Sequence, residues 1–201
     1  MFNAHVLRTF IGSPSDVLER DLVKEALAEW SAKRSSAGNA VVFVPVRWET
    51  HAFPDLVAPG QTLIDERLVD TSDLCVALFW MKIGGSVDGA SGTVHELRRF
   101  VDEGKRVLTY FNQQKISRRD AGRFRDDIAA VDELRNELQG VGLVGEYRSK
   151  GDLRAKLLDA LDDVARGHIE SHGPRHPPPG APPSTATTSR PGAAGQGLSG
   201  G

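Results

Sequence analysis

A carboxylate, two hydroxyls and several glycines are grouped in one short stretch. Gly84, Gly85 and Gly89 precede Ser91-Gly92-Thr93-Val94-His95-Glu96-Leu97. The amphipathic run that begins there closes at Gly104-Lys105 and passes into Arg106-Val107-Leu108-Thr109-Tyr110-Phe111. Glu96 is therefore expected in the first turn of a helix, beside a flexible loop at the mouth of a β-sheet. An ionised carboxylate near a ribose C1′ can stabilise an oxocarbenium-like transition state, or attack C1′ to form a covalent intermediate. The helix dipole favours that ionised form and disfavours a general-acid role. A structural expectation competes with this one. Thr93-x-x-Glu96 has the form of a capping box. Thr62-x-x-Asp65, Ser117-x-x-Asp120 and Ser149-x-x-Asp152 open other expected helices in the same way. What sets Glu96 apart is its location, not its pattern.

The elements that must position it alternate. His5–Ile11 reads as a strand that ends in the turn Gly12-Ser13-Pro14-Ser15, and Asp16 to about Lys33 reads as a helix. Val41–Val46 is a second strand, near a sheet edge because of Pro45. Thr62 to about Val69 is a short helix. Asp73–Trp80 is the most continuously apolar run, as in a strand buried on both faces. The Glu96 helix and the strand ending at Phe111 follow. A long helix is expected over Arg118–Leu138, a weak strand over Leu143–Tyr147, and a last helix over Asp152–Arg166.

This βαβ alternation implies an α/β fold: an open, mostly parallel five-stranded sheet of the flavodoxin-like order 2-1-3-4-5, with helices on both faces. Residues 1–170 form that domain. Residues 171–201, rich in Pro, Gly, Ser and Thr, are expected to be a disordered tail.

In such sheets ligands bind beyond the carboxyl ends of the strands, at the switch point between the first and third. Gly12, Ser13, Ser15 and Asp16 fall there from the first strand, Trp48 from the second, and Trp80, Ser91, Thr93 and Glu96 from the third. Flat rings, hydroxyls and backbone N–H groups suit a nucleoside or nucleotide. Trp48 or Trp80 would stack on a base. Gly12, Ser13 and Ser15 would line the phosphate side, Ser91 and Thr93 would contact ribose or position Glu96, and Asp73 would orient the loop. Each has a bland alternative as turn, cap or packing residue. His95 is expected to face solvent. The His, Cys and carboxylate positions show no metal-ligand spacing, so no metal is expected.

Composition narrows the classes. A formal net charge of -2 and a pI near 6.3 give no sign of a nucleic-acid or membrane-surface binder. The lone Cys75 lies in an apolar strand and reads as core. No signal-peptide pattern or run of bilayer-spanning length is visible, so a soluble cytoplasmic protein is expected.

The same blocks carry a resemblance. Phe10-Ile11-Gly12-Ser13-Pro14-Ser15-Asp16-Val17 with Glu19-Arg20-Asp21 resembles the "FISSPSDV-x-x-ER" opening of a TIR-like domain of unknown function, found before NACHT, tetratricopeptide or WD-repeat regions of signalling NTPases. Val44–Glu49, Asp73–Trp80 and Ser91–Leu97 are similar to its next blocks. The wider superfamily holds TIR domains and nucleoside 2-deoxyribosyltransferases, in which a glutamate early in the helix after the central loop acts on an N-glycosidic bond. Glu96 takes that place. The resemblance implies cleavage of NAD(P) or a nucleoside, with no resident cofactor, in bacterial anti-phage defence or signalling, regulated by self-association or partner proteins. The alternative is a non-catalytic nucleotide-binding or assembly module.

Overall fold

The run Leu74–Phe79, buried at every position, forms the middle strand of a five-stranded parallel sheet. In the computed structural model, which describes residues 3–36, 40–47, 68–84, 86–87 and 90–172, this strand is β3. The others are β1 (His5–Gly12), β2 (Val41–Val46), β6 (Arg106–Asn112) and β7 (Gly145–Tyr147), in the order β2-β1-β3-β6-β7. A small antiparallel hairpin, β4 (Ser86–Val87) and β5 (Ala90–Ser91), lies between β3 and the next helix. The helices are α1 (Arg20–Arg34), α2 (Gly92–Asp102), α3 (Arg118–Arg123), α4 (Arg125–Val141) and α5 (Lys150–His172). The expected order 2-1-3-4-5 is the observed one.

The two faces are covered differently. Val23, Ala26, Leu27 and Trp30 of α1 pack with Leu153, Leu157 and Leu161 of α5 over Leu7, Ile11, Leu74, Val76 and Leu78. Val94, Leu97 and Phe100 of α2 and Val131, Leu134 and Leu138 of α4 pack over Phe10, Cys75, Ala77 and Phe79. The period-2 alternation of side chains along β1 and β3 sends successive residues to opposite cores. That double cover explains why β3 shows no polar position. β2 and β7 are the two edges, and Pro45 is tolerated because β2 has only one partner strand.

Several boundaries differ from expectation. α1 begins at Arg20, not Asp16, because Pro14–Val17 closes its own turn through Val17 N–H to Pro14 O at 3.1 Å. The expected Arg118–Leu138 helix is two helices that break at Phe124, whose ψ of 29° is not helical. α5 continues to His172, six residues past the expected end at Arg166. α2 ends in a Schellman motif: Gly104 at φ 66° donates to Val101 O at 3.0 Å, and Lys105 N donates to Phe100 O at 2.9 Å. Of the expected short helix Thr62–Val69, only Leu68 and Val69 are described. Residues 173–201, most of the expected tail, also lie outside the described residues.

Candidate functional site

The chain leaves β1 toward the face that carries α1 and leaves β3 toward the face that carries α2. A crevice at the carboxyl ends of β1 and β3 follows from that divergence. Gly12 ends β1, and Trp80 and Met81 directly follow β3.

Glu96 stands at this carboxyl edge. It is 7 % exposed, between Val94 and Leu97 of the apolar stripe of α2. Its carboxylate lies over the end of β1: a Cβ on Gly12 would stand 3.8 Å from Glu96 Oε2 and 3.5 Å from Thr93 Cγ2. The sequence expectation put Glu96 in the first turn as a possible partner of a Thr93 cap. α2 instead starts at Gly92, so Thr93 is already inside the helix and Glu96 is in its second turn. The capping-box geometry needs Thr93 outside the helix, at the N-cap. A buried carboxylate also loses hydration that a surface cap keeps. Glu96 is close enough to act on Cys75 in β3, whose thiol is pushed far up by burial first and by the Glu96 charge second. Cys75 is accordingly a core residue.

Asp16 and its neighbours have a mixed assignment. Asp16 Oδ2 accepts from Met81 N–H at 2.9 Å, tying the β1–α1 turn to the end of β3. Gly12 and Pro14 are buried, Ser13 is half-buried, and Ser15 is exposed. Trp80 is half-buried, packs against the α1/α5 core, and lines a cavity of about 150 Å³ together with Asn112, Ile128 and Asp132. Glu96 and Gly12 are not among the residues lining that cavity.

Asp73 is a correction. It precedes β3 at the amino end of the sheet, where its Oδ2 accepts from Arg8 N–H at 2.8 Å, so it cannot orient the loop at the carboxyl edge. Trp48 lies outside the described residues, and of Ser91 only the backbone, in β5, is described. His95 is exposed, as expected.

The sequence reading missed Glu19 and Tyr147. Glu19 is 7 % exposed and precedes α1 without capping it. Tyr147 ends β7, fully buried. Burial first, then the Glu19 charge, pushes the Tyr147 hydroxyl well above the usual phenol range, while Asn112 acts in the opposite sense. Tyr147 Oη has no hydrogen bond of normal geometry, though both neighbours are near enough to perturb it. The carboxyl-end rule applied to the fifth strand would have found Tyr147. Arg47, at the end of β2, is 12 % exposed and pairs with Asp21 of α1 at 2.5 Å.

Among the described residues no group of three His, Cys, Asp or Glu side chains stands ready to hold a metal ion, and no helix is long and apolar enough to cross a membrane.

These features define an open parallel α/β domain with a buried carboxylate at its switch point. The chain belongs to the family described as Domain of unknown function (DUF4062), whose model matches residues 10–162. No protein of curated function matches it. Among solved structures, the crystal structure of a conserved protein from Enterococcus faecalis V583 matches at 16% identity and a TM-score of 0.44, covering 78% of this chain and 99% of that chain.

Proposed function

We propose that this DUF4062 chain is a TIR-like domain that cleaves the N-glycosidic bond of NAD(P) or a related nucleotide or nucleoside, in bacterial defence or signalling. Glu96 is its catalytic carboxylate. The observation that carries this reading is the position of Glu96, on the second turn of α2 with its carboxylate over Gly12 at the end of β1. Gly12 offers no side chain there, which leaves the Thr93 and Glu96 side chains uncrowded. Glu96 attacks C1′ as the base departs with the glycosidic electron pair; the cationic nicotinamide of NAD(P) leaves neutral, whereas a nucleobase takes up a proton from water. Water then hydrolyses the resulting ester and regenerates the carboxylate. Thr93 stands beside Glu96 to position it or contact the ribose, whereas Trp80, which packs against the α1/α5 core and lines a separate cavity, has no part in this site. The ligand enters as substrate, without a resident cofactor, and activity is controlled by self-association or partner proteins.

A second reading is a non-catalytic nucleotide-binding or assembly module, and the deep burial of Glu96 favours it. Incubation of the full chain with NAD, NADP and deoxynucleosides, with chromatographic detection of free base, separates the two. Release of base supports the enzyme. No release at protein concentrations that drive self-association overturns it.

A further inference from the structure

A separate cavity lies at the carboxyl ends of β3 and β6. Phe79 of β3 pairs with Phe111 of β6, so Trp80 and Asn112, the next residues in each chain segment, reach the end of the sheet side by side. Opposite them α4 presents Ile128, Val131, Asp132 and Arg135, spaced i, i+3, i+4 and i+7 on one helical face. The cavity between measures about 150 Å³, and neither Gly12, Thr93 nor Glu96 lines it. We propose that it binds a single six-membered heteroaromatic ring with an exocyclic N–H donor, the chemistry shared by a pyridine carboxamide and an aminopyrimidine base.

Three observations support it. The first is size. An apolar cavity of about 150 Å³ holds one benzene molecule, so a single ring fits here and a whole dinucleotide does not. The second is the character of the walls. Phe111 and Trp80 supply aromatic surface, and Ile128 and Val131 supply aliphatic surface. Asn112 is only 8 % exposed, and its Oδ1 accepts from Gln114 N–H at 2.9 Å, which fixes a polar amide in the wall. Mostly apolar walls with a few fixed polar groups are the usual make-up of a small-molecule site. The third is charge. Arg135 pairs with Glu146, so its charge is offset within the protein. Asp132, exposed at the rim, has no ion pair or side-chain hydrogen bond among the described residues. An unpaired carboxylate accepts from N–H donors and repels a carboxylate on the ligand. The ring that suits the cavity therefore carries an amide or amino group and not an acid.

This site is independent of the glycosidase reading, because its test reads binding and not turnover. Base release at Glu96 can fail while the ring still binds, and the reverse.

The full chain, labelled with nitrogen-15, is titrated separately with nicotinamide, cytosine and nicotinate and followed by amide chemical shifts. Nicotinamide or cytosine is expected to bind with a Kd of about 1 mM or tighter, and the arm that binds identifies the source of the ring. The shifts should centre on residues 112–116 and 128–135. Nicotinate, the anionic counterpart of nicotinamide, should bind at least about tenfold more weakly than the ring that binds. Asp132→Asn should shrink that ratio by about threefold or more, since it removes the repelling charge. Ile128→Phe, which fills the cavity from a half-buried position, should abolish binding. Melting temperatures of both variants, compared with wild type, separate loss of the site from loss of the fold. Absence of binding by both rings, shifts centred instead on Gly12, Thr93 and Glu96, nicotinate bound as tightly as the neutral ring, or binding unchanged in folded Ile128→Phe would overturn the proposal.

Discussion

The fate of Glu96 turns on one neighbour. Gly12 lies against the carboxylate with room for about one methyl group. A methyl there would meet Phe10 Cε1 at 3.4 Å, Thr93 Cγ2 at 3.5 Å and Glu96 Oε2 at 3.8 Å, which are near-ordinary van der Waals contacts. Gly12→Ala is therefore expected to fold, at a cost under about 1 kcal/mol, yet to press a methyl against Thr93 and Glu96. Base release should fall more than about tenfold, since small misplacements at a reacting centre are costly. Paired denaturation and rate measurements check this. A drop in stability without a drop in rate would remove Gly12 from the site. At this scale the sequence was only partly legible. Residue types and order grouped Gly12, Thr93 and Glu96 as candidates, and the structure sets the three side by side. Asp73 was misassigned because the sequence does not say which end of a strand its flanking residue serves. Tyr147 was missed because its strand is short and weakly patterned.

Elements set where those residues stand. β7 is a three-residue edge strand, and its register pairs Tyr110 with Gly145. A Cβ on Gly145 would approach Tyr110 Cδ1 to 2.4 Å and Cε1 to 2.7 Å, so the ring must move. Tyr110 is held by the core, and burial pushes its hydroxyl up to about 12. Gly145→Ala is expected to destabilise by about 1–3 kcal/mol through overpacking, read as a lower urea midpoint. A neutral result would mean that β7 slides freely at the edge. On the other side, α1 and α5 are joined by Trp30 Nε1 donating to Asp162 Oδ1 at 2.8 Å, and by Arg34–Asp162 and Arg154–Glu29 pairs. Element types were legible because β-branched and aromatic runs alternate with stripes of period 3.6. Helix ends were less so. The start of α1 depends on the Pro14–Val17 turn, which competes locally with the helix.

At the scale of the whole molecule, topology follows from chain order and handedness, which is why the strand order could be anticipated. Several exposed carboxylates hold this assembly together at its surface. Hydrogen bonds from Lys33 and Arg154 keep Glu29 below its ordinary range, and Arg47 does the same for Asp21. Asp152 is lowered by Lys156 and by the Arg148 backbone N–H. Their folded values lie below their unfolded ones, so the stability they contribute is present above the unfolded pKa, near 4.5 for Glu and 3.8 for Asp. It is lost as pH falls through the lowered folded values. Each contribution is small because the groups are exposed. Thermal unfolding followed from neutral pH downward should show little change from these groups until about pH 4.5, then a progressive fall. Glu29→Gln should make that acid limb shallower. An unchanged limb would place the acid sensitivity elsewhere.

The most direct measurement compares wild type and Glu96→Gln, each shown to be folded, for release of base from NAD, NADP and deoxynucleosides. A catalytic Glu96 predicts at least about a 100-fold loss of rate, with stability changed by no more than about 1 kcal/mol. Equal release by both proteins, or a loss of stability with no change in rate, would contradict it.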